Sequence, residues 1–279
     1  MPRPVGLPGP ATVDSFTARA DQERMVAMSS VVERPAAAQA STGAGRRVAG
    51  LVQGLVIGLG FVLMVGGFAV IALNYRPYKV PTNSMSPTVN PGDTVLARTV
   101  TPDEIGRGDI VVFRDLTWGT DTMVKRVVGV GGDTVAYGDS VGHLTVNGKP
   151  IQEGYLSPAP GLSVNFSIQV PAGRLFLLGD DRGVSLDSRS HLAVSAGTIP
   201  ATEVSSRVAG TAWPFGRMAV QHRTTAFDGL GGAVASGPGP LEPASYAMIG
   251  GAALIVLASV LGGLVSLGRW VAGRSRKAR

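Results

Sequence analysis

Two long apolar stretches constrain the fold of this chain more than any other feature of its sequence. Residues 51–73 and 244–268 span 23 and 25 residues, and neither stretch contains a charged side chain. A helix of about 20 apolar residues is long enough to cross about 30 Å of hydrocarbon. The sequence therefore predicts two transmembrane helices, over 51–73 and 244–268.

The charges that flank these stretches predict how the chain is oriented. Residues 1–50 carry six basic and four acidic side chains, and residues 269–279 carry five basic and no acidic ones. Short basic flanks of transmembrane helices stay on the cytoplasmic side. Both termini are therefore predicted to be cytoplasmic, with the region between the helices on the outer side of the plasma membrane. The lipid bilayer is thus one predicted partner.

The rest of the chain is close to neutral, although the net charge of the whole is +6. Residues 51–268 contain fourteen basic and fifteen acidic side chains. Nucleic-acid-binding domains concentrate basic residues on one surface, whereas here the excess lies in the two tails. We therefore expect no nucleic-acid partner.

Between the apolar stretches, short runs of β-branched and apolar residues alternate with turn residues, which is typical of an all-β fold. Asn147-Gly148 is a strong signal for a hairpin turn. The sequence predicts a mainly β fold, with an external β-barrel-like domain over 75–223 anchored by the two transmembrane helices. The predicted strands are 94–96, 109–113, 122–130, 134–136, 143–146, 163–170, 174–178 and 208–212.

The other segments lack the periodicity of helices or strands. Residues 1–46 are rich in Ala, Pro, Ser, Thr and Gly and are predicted to form a disordered cytoplasmic tail. Residues 224–243 are rich in glycine and are predicted to be a linker into the second helix. Residues 269–279 form a short basic tail.

The chain contains no cysteine, which excludes disulfide bonds, thiolate zinc sites and catalysis by a thiol. Its three histidines, His143, His191 and His222, have no spacing typical of metal ligands. A surface or structural role is favoured for each of them. We therefore predict neither a metal site nor a cofactor.

Ser84 follows shortly after the first apolar stretch, in the run Thr82-Asn83-Ser84-Met85-Ser86-Pro87-Thr88. A hydroxyl nucleophile at this place can act on a chain that emerges from the same bilayer. It needs a nearby base, because a serine hydroxyl is a poor nucleophile while it keeps its proton. An ordinary turn before Pro87 is the alternative interpretation, and Ser86 is a competing candidate nucleophile.

Lys125 is the candidate base. It lies in a strand-like run in which period-two alternation places Met123 and Val127 on the same face. Burial among apolar neighbours disfavours the ammonium form and lowers the pKa of a lysine. The alternative is an edge-strand lysine whose amine reaches solvent.

A polar loop that contains glycine, residues 179–189, follows the buried-strand pattern of 175–178. Loops that emerge from rigid elements often carry functional residues. Asp187 can form charge-assisted hydrogen bonds with Arg189 or Arg182, and the hydroxyl of Ser185 can orient a neutral lysine amine. A salt-bridged turn without a chemical role is the alternative.

Four segments, in this order and behind a predicted span, resemble the bacterial type I signal peptidases, which are membrane-anchored serine proteases with a Ser/Lys dyad. The resemblance covers residues 75–220, and the chain departs from the family pattern at Asp181 and at Gly183-Val184. The second span is not a feature of most family members. The four matching segments are 84–88, 107–113, 125–133 and 179–189.

The resemblance implies a role for individual residues. Ser84 would be the nucleophile and Lys125 the general base. Ser185 would bond the lysine, while Asp187 and Arg189 would brace the site. The enzyme implied is a serine endopeptidase that works through an acyl-enzyme.

The resemblance also implies how the reacting carbonyl is held. Thr82, in the place where the family often has serine, would join the Ser84 backbone N–H in stabilising an oxyanion. Met85, Met123 and Val124 would line shallow substrate pockets, and a plain core role is the alternative for each.

The function implied is cleavage of signal peptides from secretory precursor proteins with small residues at the first and third positions before the cut. Two alternatives stay open. One is a dedicated processing peptidase for a single envelope or pilin-like substrate. The other is a non-catalytic, membrane-tethered β-domain that serves as an interaction module.

Overall fold

The computed structural model describes residues 37–138, 143–156 and 164–277, with side chains for all of these except 37–44 and 276–277. The chain divides into two units, Met1–Leu55 and Val56–Arg279. In the first unit, residues 37–55 are helical. The last ten residues of the predicted disordered tail thus belong to a helix, and the rest of that tail lies outside the described residues.

Two long helices, α1 (Ala37–Asn74) and α2 (Leu241–Lys277), contain the two apolar stretches. Their apolar parts have mean hydropathies of 2.6 and 2.3 and are long and apolar enough to cross a membrane. Of the most apolar 18 residues of each helix, only 11% and 6% are buried. Neither helix is therefore the core helix of a soluble fold. The predicted pair of apolar helices is confirmed, and each helix is longer than predicted.

Twelve described strands lie between these helices, so the predicted mainly β fold is also confirmed. They pair antiparallel in two sheets. In chain order the strands are β1 (Arg76–Lys79), β2 (Thr94–Thr99), β3 (Ile110–Phe113), β4 (Met123–Val130), β5 (Thr134–Tyr137), β6 (Leu144–Val146), β7 (Lys149–Pro150), β8 (Phe166–Gln169), β9 (Arg174–Leu178), β10 (Thr198–Pro200), β11 (Val204–Trp213) and β12 (Ala219–Val220).

The larger sheet has the order β1-β2-β11-β3-β4-β9-β10, and β12 pairs with β11. Its strand β3 has the uninterrupted apolar sequence Ile-Val-Val-Phe and is buried throughout. Side chains alternate between the two faces of a strand. Val111 and Phe113 accordingly pack in one core cluster, and Ile110 and Val112 pack in another, so β3 is covered on both faces.

The smaller sheet has the order β7-β6-β5-β8. The turn between β6 and β7 contains Asn147 and Gly148, whose φ angles are 53° and 73°. Positive φ at both central residues is what a tight hairpin of this kind requires. The predicted hairpin at Asn147-Gly148 is therefore present.

Residues 224–243, predicted to be a linker, are attached to the β-domain over much of their length. Phe227 is fully buried. The Arg107 N–H donates to the Ala233 carbonyl at 3.0 Å, and the Ala235 N–H donates to the Arg107 carbonyl at 2.8 Å. Gly106 allows this approach, because a Cβ atom there would collide with the backbone of Val234.

Candidate active site

Ser84 lies in the turn after β1, and Lys125 lies in β4 opposite Val111 of β3. The fold brings these two residues together although they are 41 positions apart in the sequence. Lys125 Nζ donates a hydrogen bond of 2.7 Å to Ser84 Oγ. At this distance a neutral amine can instead remove the hydroxyl proton, which is the geometry that general-base activation needs.

Burial changes the protonation of the lysine. Lys125 is only 4% exposed. Its pKa is lowered to about 8, because desolvation disfavours the ammonium form. The carboxylates of Asp187 and Asp180 oppose this lowering, and the guanidinium of Arg189 adds to it. A substantial fraction of the amine is therefore neutral slightly above neutral pH.

Gly179 sits where the loop after β9 meets the turn that holds Ser84. A Cβ atom at this position would collide with Ser185 Oγ and with the Ser84 carbonyl oxygen. The Asp181 N–H also donates to the Ser84 carbonyl, at 3.1 Å. Ser185 Oγ is buried and has no hydrogen-bond partner within the described part of the chain. Ser185 thus packs directly beside the turn that holds Ser84, but the predicted hydrogen bond between its hydroxyl and Lys125 is not formed.

Asp187 holds the shape of this loop. Its fully buried carboxylate accepts a hydrogen bond of 3.0 Å from the Gly179 N–H. Arg189 donates to both of its oxygens, through Nε and Nη2, at 2.8 Å each. Arg189 also reaches the Arg182 carbonyl at 2.9 Å. Of the two predicted partners of Asp187, the fold therefore places Arg189 on its carboxylate, whereas Arg182 pairs with Glu153.

A second charged pair, which was not predicted from the sequence, lies beside the site. Arg126 donates to both oxygens of Asp180, at 2.8 and 2.6 Å. Thr88 donates to the same carboxylate at 2.5 Å, and Arg126 lies 4.0 Å from the centre of the Tyr155 ring. The signal was the arginine inside an apolar strand, because a buried guanidinium requires an acidic partner.

The competing serine makes a different contact. Ser86 Oγ donates to the amide oxygen of Asn90 at 3.1 Å. Thr82 Oγ1, in contrast, lies 3.3 Å from Ser84 Oγ. Of these two hydroxyls, Thr82 is therefore the one placed beside the Ser84 side chain.

An open cleft of about 680 Å³ lies over the Ser84 and Lys125 side chains. Met123 and Val124, two of the three predicted pocket residues, line it. Met85 does not line it, because its side chain is fully buried in the core. The other lining residues are Tyr78, Lys79, Val80, Pro81, Thr82, Asn83, Trp118, Gly119, Asp121, Thr122, Val184 and Leu186.

His191 is the histidine nearest to this region in the chain. It stacks on Trp118 with 4.4 Å between ring centres, and its Nδ1 lies 2.9 Å from the Asp187 carbonyl oxygen.

Among the described residues, no group of three or more His, Cys, Asp or Glu side chains could hold a metal ion.

The sequence profile of the signal peptidase family, peptidase S26, matches residues 51–213, which is more than half of the chain. The chain belongs to this signal peptidase family. It is therefore a serine endopeptidase of the signal peptidase I type, and the predicted family is confirmed.

Relatives of this signal peptidase family are similar to the chain over most of their own length. The signal peptidase I of Mycobacterium tuberculosis is 29% identical over 215 residues, which cover 58% of this chain and 73% of the relative. The signal peptidase I of Bacillus licheniformis is 34% identical over 154 residues, which cover 51% and 78%. A crystal structure of a signal peptidase I from Enterococcus faecalis aligns with 28% identity and a TM-score of 0.31, over 37% of this chain and 95% of that one.

Proposed function

We propose that this chain cleaves signal peptides from secretory precursor proteins, with Ser84 as the nucleophile and Lys125 as the general base. The 2.7 Å contact between a buried amine and a hydroxyl is the observation that carries the proposal. Burial supports it, because desolvation drives the Lys125 amine towards its neutral form. Relatives named signal peptidase I support the choice of reaction.

The first half of the reaction acylates the serine. Neutral Lys125 Nζ takes the proton of Ser84 Oγ, which attacks the carbonyl carbon of the scissile peptide bond. The Ser84 N–H and the Thr82 hydroxyl donate hydrogen bonds to the oxyanion of the tetrahedral intermediate. When the C–N bond breaks, the leaving amine takes the proton from Lys125, and the signal peptide remains as an ester on Ser84.

The second half of the reaction hydrolyses that ester. Lys125 Nζ takes a proton from a water molecule, whose oxygen attacks the ester carbonyl carbon. The C–O bond to Ser84 breaks, and the proton returns from Lys125 to Ser84 Oγ. The signal peptide leaves with a new carboxylic acid, which loses its proton to water, and both residues regain their starting protonation states.

The loop after β9 is proposed to keep the lysine in place. The unpartnered, buried hydroxyl of Ser185 is available to the Lys125 amine, which must keep its lone pair directed at Ser84. Asp187 and Arg189 fix the loop that carries Ser185 through the hydrogen bonds described above. We assign these three residues a positioning role.

The proposed substrates are precursors with small residues at the first and third positions before the cut. Met123 and Val124 line the cleft next to Lys125 and leave it apolar at this point. Small apolar side chains of an extended precursor segment fit such a surface. The precursors are therefore the proposed protein partners of the site.

We also propose the arrangement in the membrane. The apolar helices cross the plasma membrane over 51–73 and 244–268, and the basic tails 1–46 and 269–279 remain cytoplasmic. The catalytic domain, 75–223, lies outside, joined to the second helix through 224–243. Because the chain lacks cysteine, single cysteines introduced at Lys149 and Ser275 can be labelled in intact cells with an impermeant maleimide. Only the former should react.

The test of catalysis uses the full-length chain in detergent micelles and a precursor peptide with alanine at the first and third positions. Ser84→Ala and Lys125→Ala are each expected to abolish cleavage, with circular dichroism spectra like that of the wild type. Ser86→Ala is the matched control and should keep near wild-type turnover, because Ser86 bonds Asn90 instead. Near-normal turnover by either dyad variant would contradict the assignment.

A second substitution at Lys125 tests whether this residue acts as a base or only supplies a positive charge. Lys125→Arg should also be inactive, because a guanidinium stays protonated and cannot take the serine proton. Lys149→Arg, at an exposed lysine of β7, should retain activity. An active Lys125→Arg enzyme would show that this position supplies only positive charge.

A further inference from the structure

The two apolar helices touch each other backbone to backbone. A Cβ atom on Gly251 of α2 would lie 2.5 Å from the Met64 nitrogen and would also collide with the Gly60 carbonyl of α1. A Cβ atom on Gly67 of α1 would lie 2.5 Å from the Ala244 carbonyl oxygen. Glycine allows helices in lipid to approach this closely, where packing rather than the hydrophobic effect holds them together.

In these parts of the two helices, only the glycines at the contact leave no room for a side chain. Gly250 and Gly66 are the direct neighbours of Gly251 and Gly67 in the sequence, and a Cβ atom on either one would meet nothing within 4 Å. Each helix therefore provides one position for a test substitution and a neighbouring position for its control. One glycine of each pair is inside the contact, and a Cβ atom on the other would have open space around it.

The outer ends of the two helices are joined by a second, independent set of contacts. Tyr75, the residue after α1, is buried, and its hydroxyl donates to the Pro238 carbonyl at 2.8 Å, just before α2. Leu241, the first residue of α2, packs in one core cluster with Tyr75 and Ala209 of β11. The start of α2 thus packs against the junction between α1 and the β-domain.

This junction leads directly to the proposed nucleophile. Strand β1 begins at Arg76, and its residues Tyr78 and Lys79 line the cleft. The chain then reaches Ser84 without another helix or strand. A change in the angle between α1 and β1 would therefore move the cleft relative to the bilayer.

We propose that α2 is a positioning element, which clamps the α1–β1 junction and so fixes the height and tilt of the cleft above the membrane. The inference rests on the proposed function, because only a precursor that is itself held in the bilayer presents its cleavage site at a fixed height. A soluble peptide can reach the cleft at any tilt. Loss of the clamp should therefore slow the cleavage of membrane-held precursors more than the cleavage of soluble peptides.

The activity test compares two substrates for each variant of the full-length chain in liposomes: a soluble peptide and a complete precursor inserted in the same bilayer. Gly251→Leu should keep peptide cleavage within about twofold of wild type and lose about tenfold or more on the inserted precursor, because small misplacements at a reacting centre are costly. The control Gly250→Leu should cleave both substrates like the wild type. Gly67→Leu, measured against the same control, has the same expectation as Gly251→Leu.

A distance measurement makes the clamp testable without catalysis. Leu116, 77% exposed in the loop between β3 and β4, does not line the cleft. A fluorophore on Leu116→Cys reports the height of the domain through energy transfer to acceptor-labelled lipid headgroups. Gly251→Leu should change the transfer efficiency, and Gly250→Leu should not. If the wild type cleaves no precursor, the proposed function fails, while this measurement still decides the clamp.

Two results would overturn the inference. One is unchanged energy transfer and an unchanged ratio of precursor to peptide cleavage in Gly251→Leu. The other is an equal loss on both substrates with unchanged transfer, which would show that the contact only stabilises the fold. If Gly251→Leu does not fold, Tyr75→Phe decides, since it removes only the bond to Pro238. It should lower precursor cleavage relative to peptide cleavage, and wild-type behaviour in both measurements would refute the clamp.

Discussion

Lys125 Nζ donates a 2.7 Å hydrogen bond to Ser84 Oγ in a place where the lysine is 4% exposed and the serine 9%. The ammonium form can only donate this hydrogen bond, whereas the proposed reaction needs the neutral amine, whose lone pair accepts the serine proton. The pKa of about 8 makes the change easy, because the neutral amine is present at about a tenth of the total at pH 7. Burial thus favours the neutral amine that the proposed general base requires.

The first prediction concerns the pH dependence of turnover. Cleavage of a soluble precursor peptide should rise with pH as the Lys125 ammonium loses its proton, with a midpoint near the pKa of about 8. The measurement is kcat/KM between about pH 6 and pH 10. A flat profile, or a midpoint near the ordinary lysine value, would contradict a buried general base.

The second prediction concerns stability. Folding lowers the pKa of Lys125 from 10.5 to about 8, so the unfolded chain binds more protons between these two pH values. Stability should therefore rise with pH through this window, and the full cost, about 3 kcal/mol, is present below pH 8. Lys125→Met removes this cost and should be more stable than the wild type at pH 7, with a smaller difference at pH 10.

The measurement for this second prediction is thermal unfolding of the full chain in detergent at both pH values. Lys149→Met is the control, because Lys149 is exposed and its substitution should change little at either pH. A Lys125→Met variant that is less stable than the wild type at pH 7 would show that burial of this amine is not costly.

The strands that hold the site were largely predictable from sequence. Predicted strands 109–113, 122–130 and 174–178 agree closely with β3, β4 and β9, because apolar and β-branched runs there are bounded by turn residues. Strand β1 was not predicted. Its sequence Arg-Pro-Tyr-Lys has no apolar alternation, and pairing with β2 makes it a strand.

The site itself was only partly predictable. The residues Ser84 and Lys125 could be nominated from local patterns and from resemblance, but their contact depends on how the turn after β1 packs beside β4. The partner of Arg126 could not be read from the sequence, because several acidic residues were available. Asp180 is that partner since it follows β9, which pairs with β4 in the large sheet.

The third prediction tests the close packing at Gly179. Gly179→Ala should lower kcat by about tenfold or more, because its Cβ would push Ser185 or the Ser84 carbonyl out of place. Gly183→Ala in the same loop is the matched control, since its Cβ would meet only Asp181 Oδ1, at 3.7 Å. Equal, near wild-type turnover of both variants would show that the loop does not position the dyad.

The fourth prediction compares how much a buried ion pair and an exposed ion pair contribute to stability. Arg126 and Asp180 are 2% and 0% exposed, so Asp180→Asn leaves a buried guanidinium without its counter-charge and should cost about 3–5 kcal/mol of unfolding free energy. Asp228→Asn breaks the exposed pair with Arg223, where the side chains are 39% and 40% exposed, and should cost far less, because water screens an exposed pair. Denaturant unfolding of the full chain in detergent measures both. Similar small losses would mean that the buried pair does not stabilise the strand that carries Lys125.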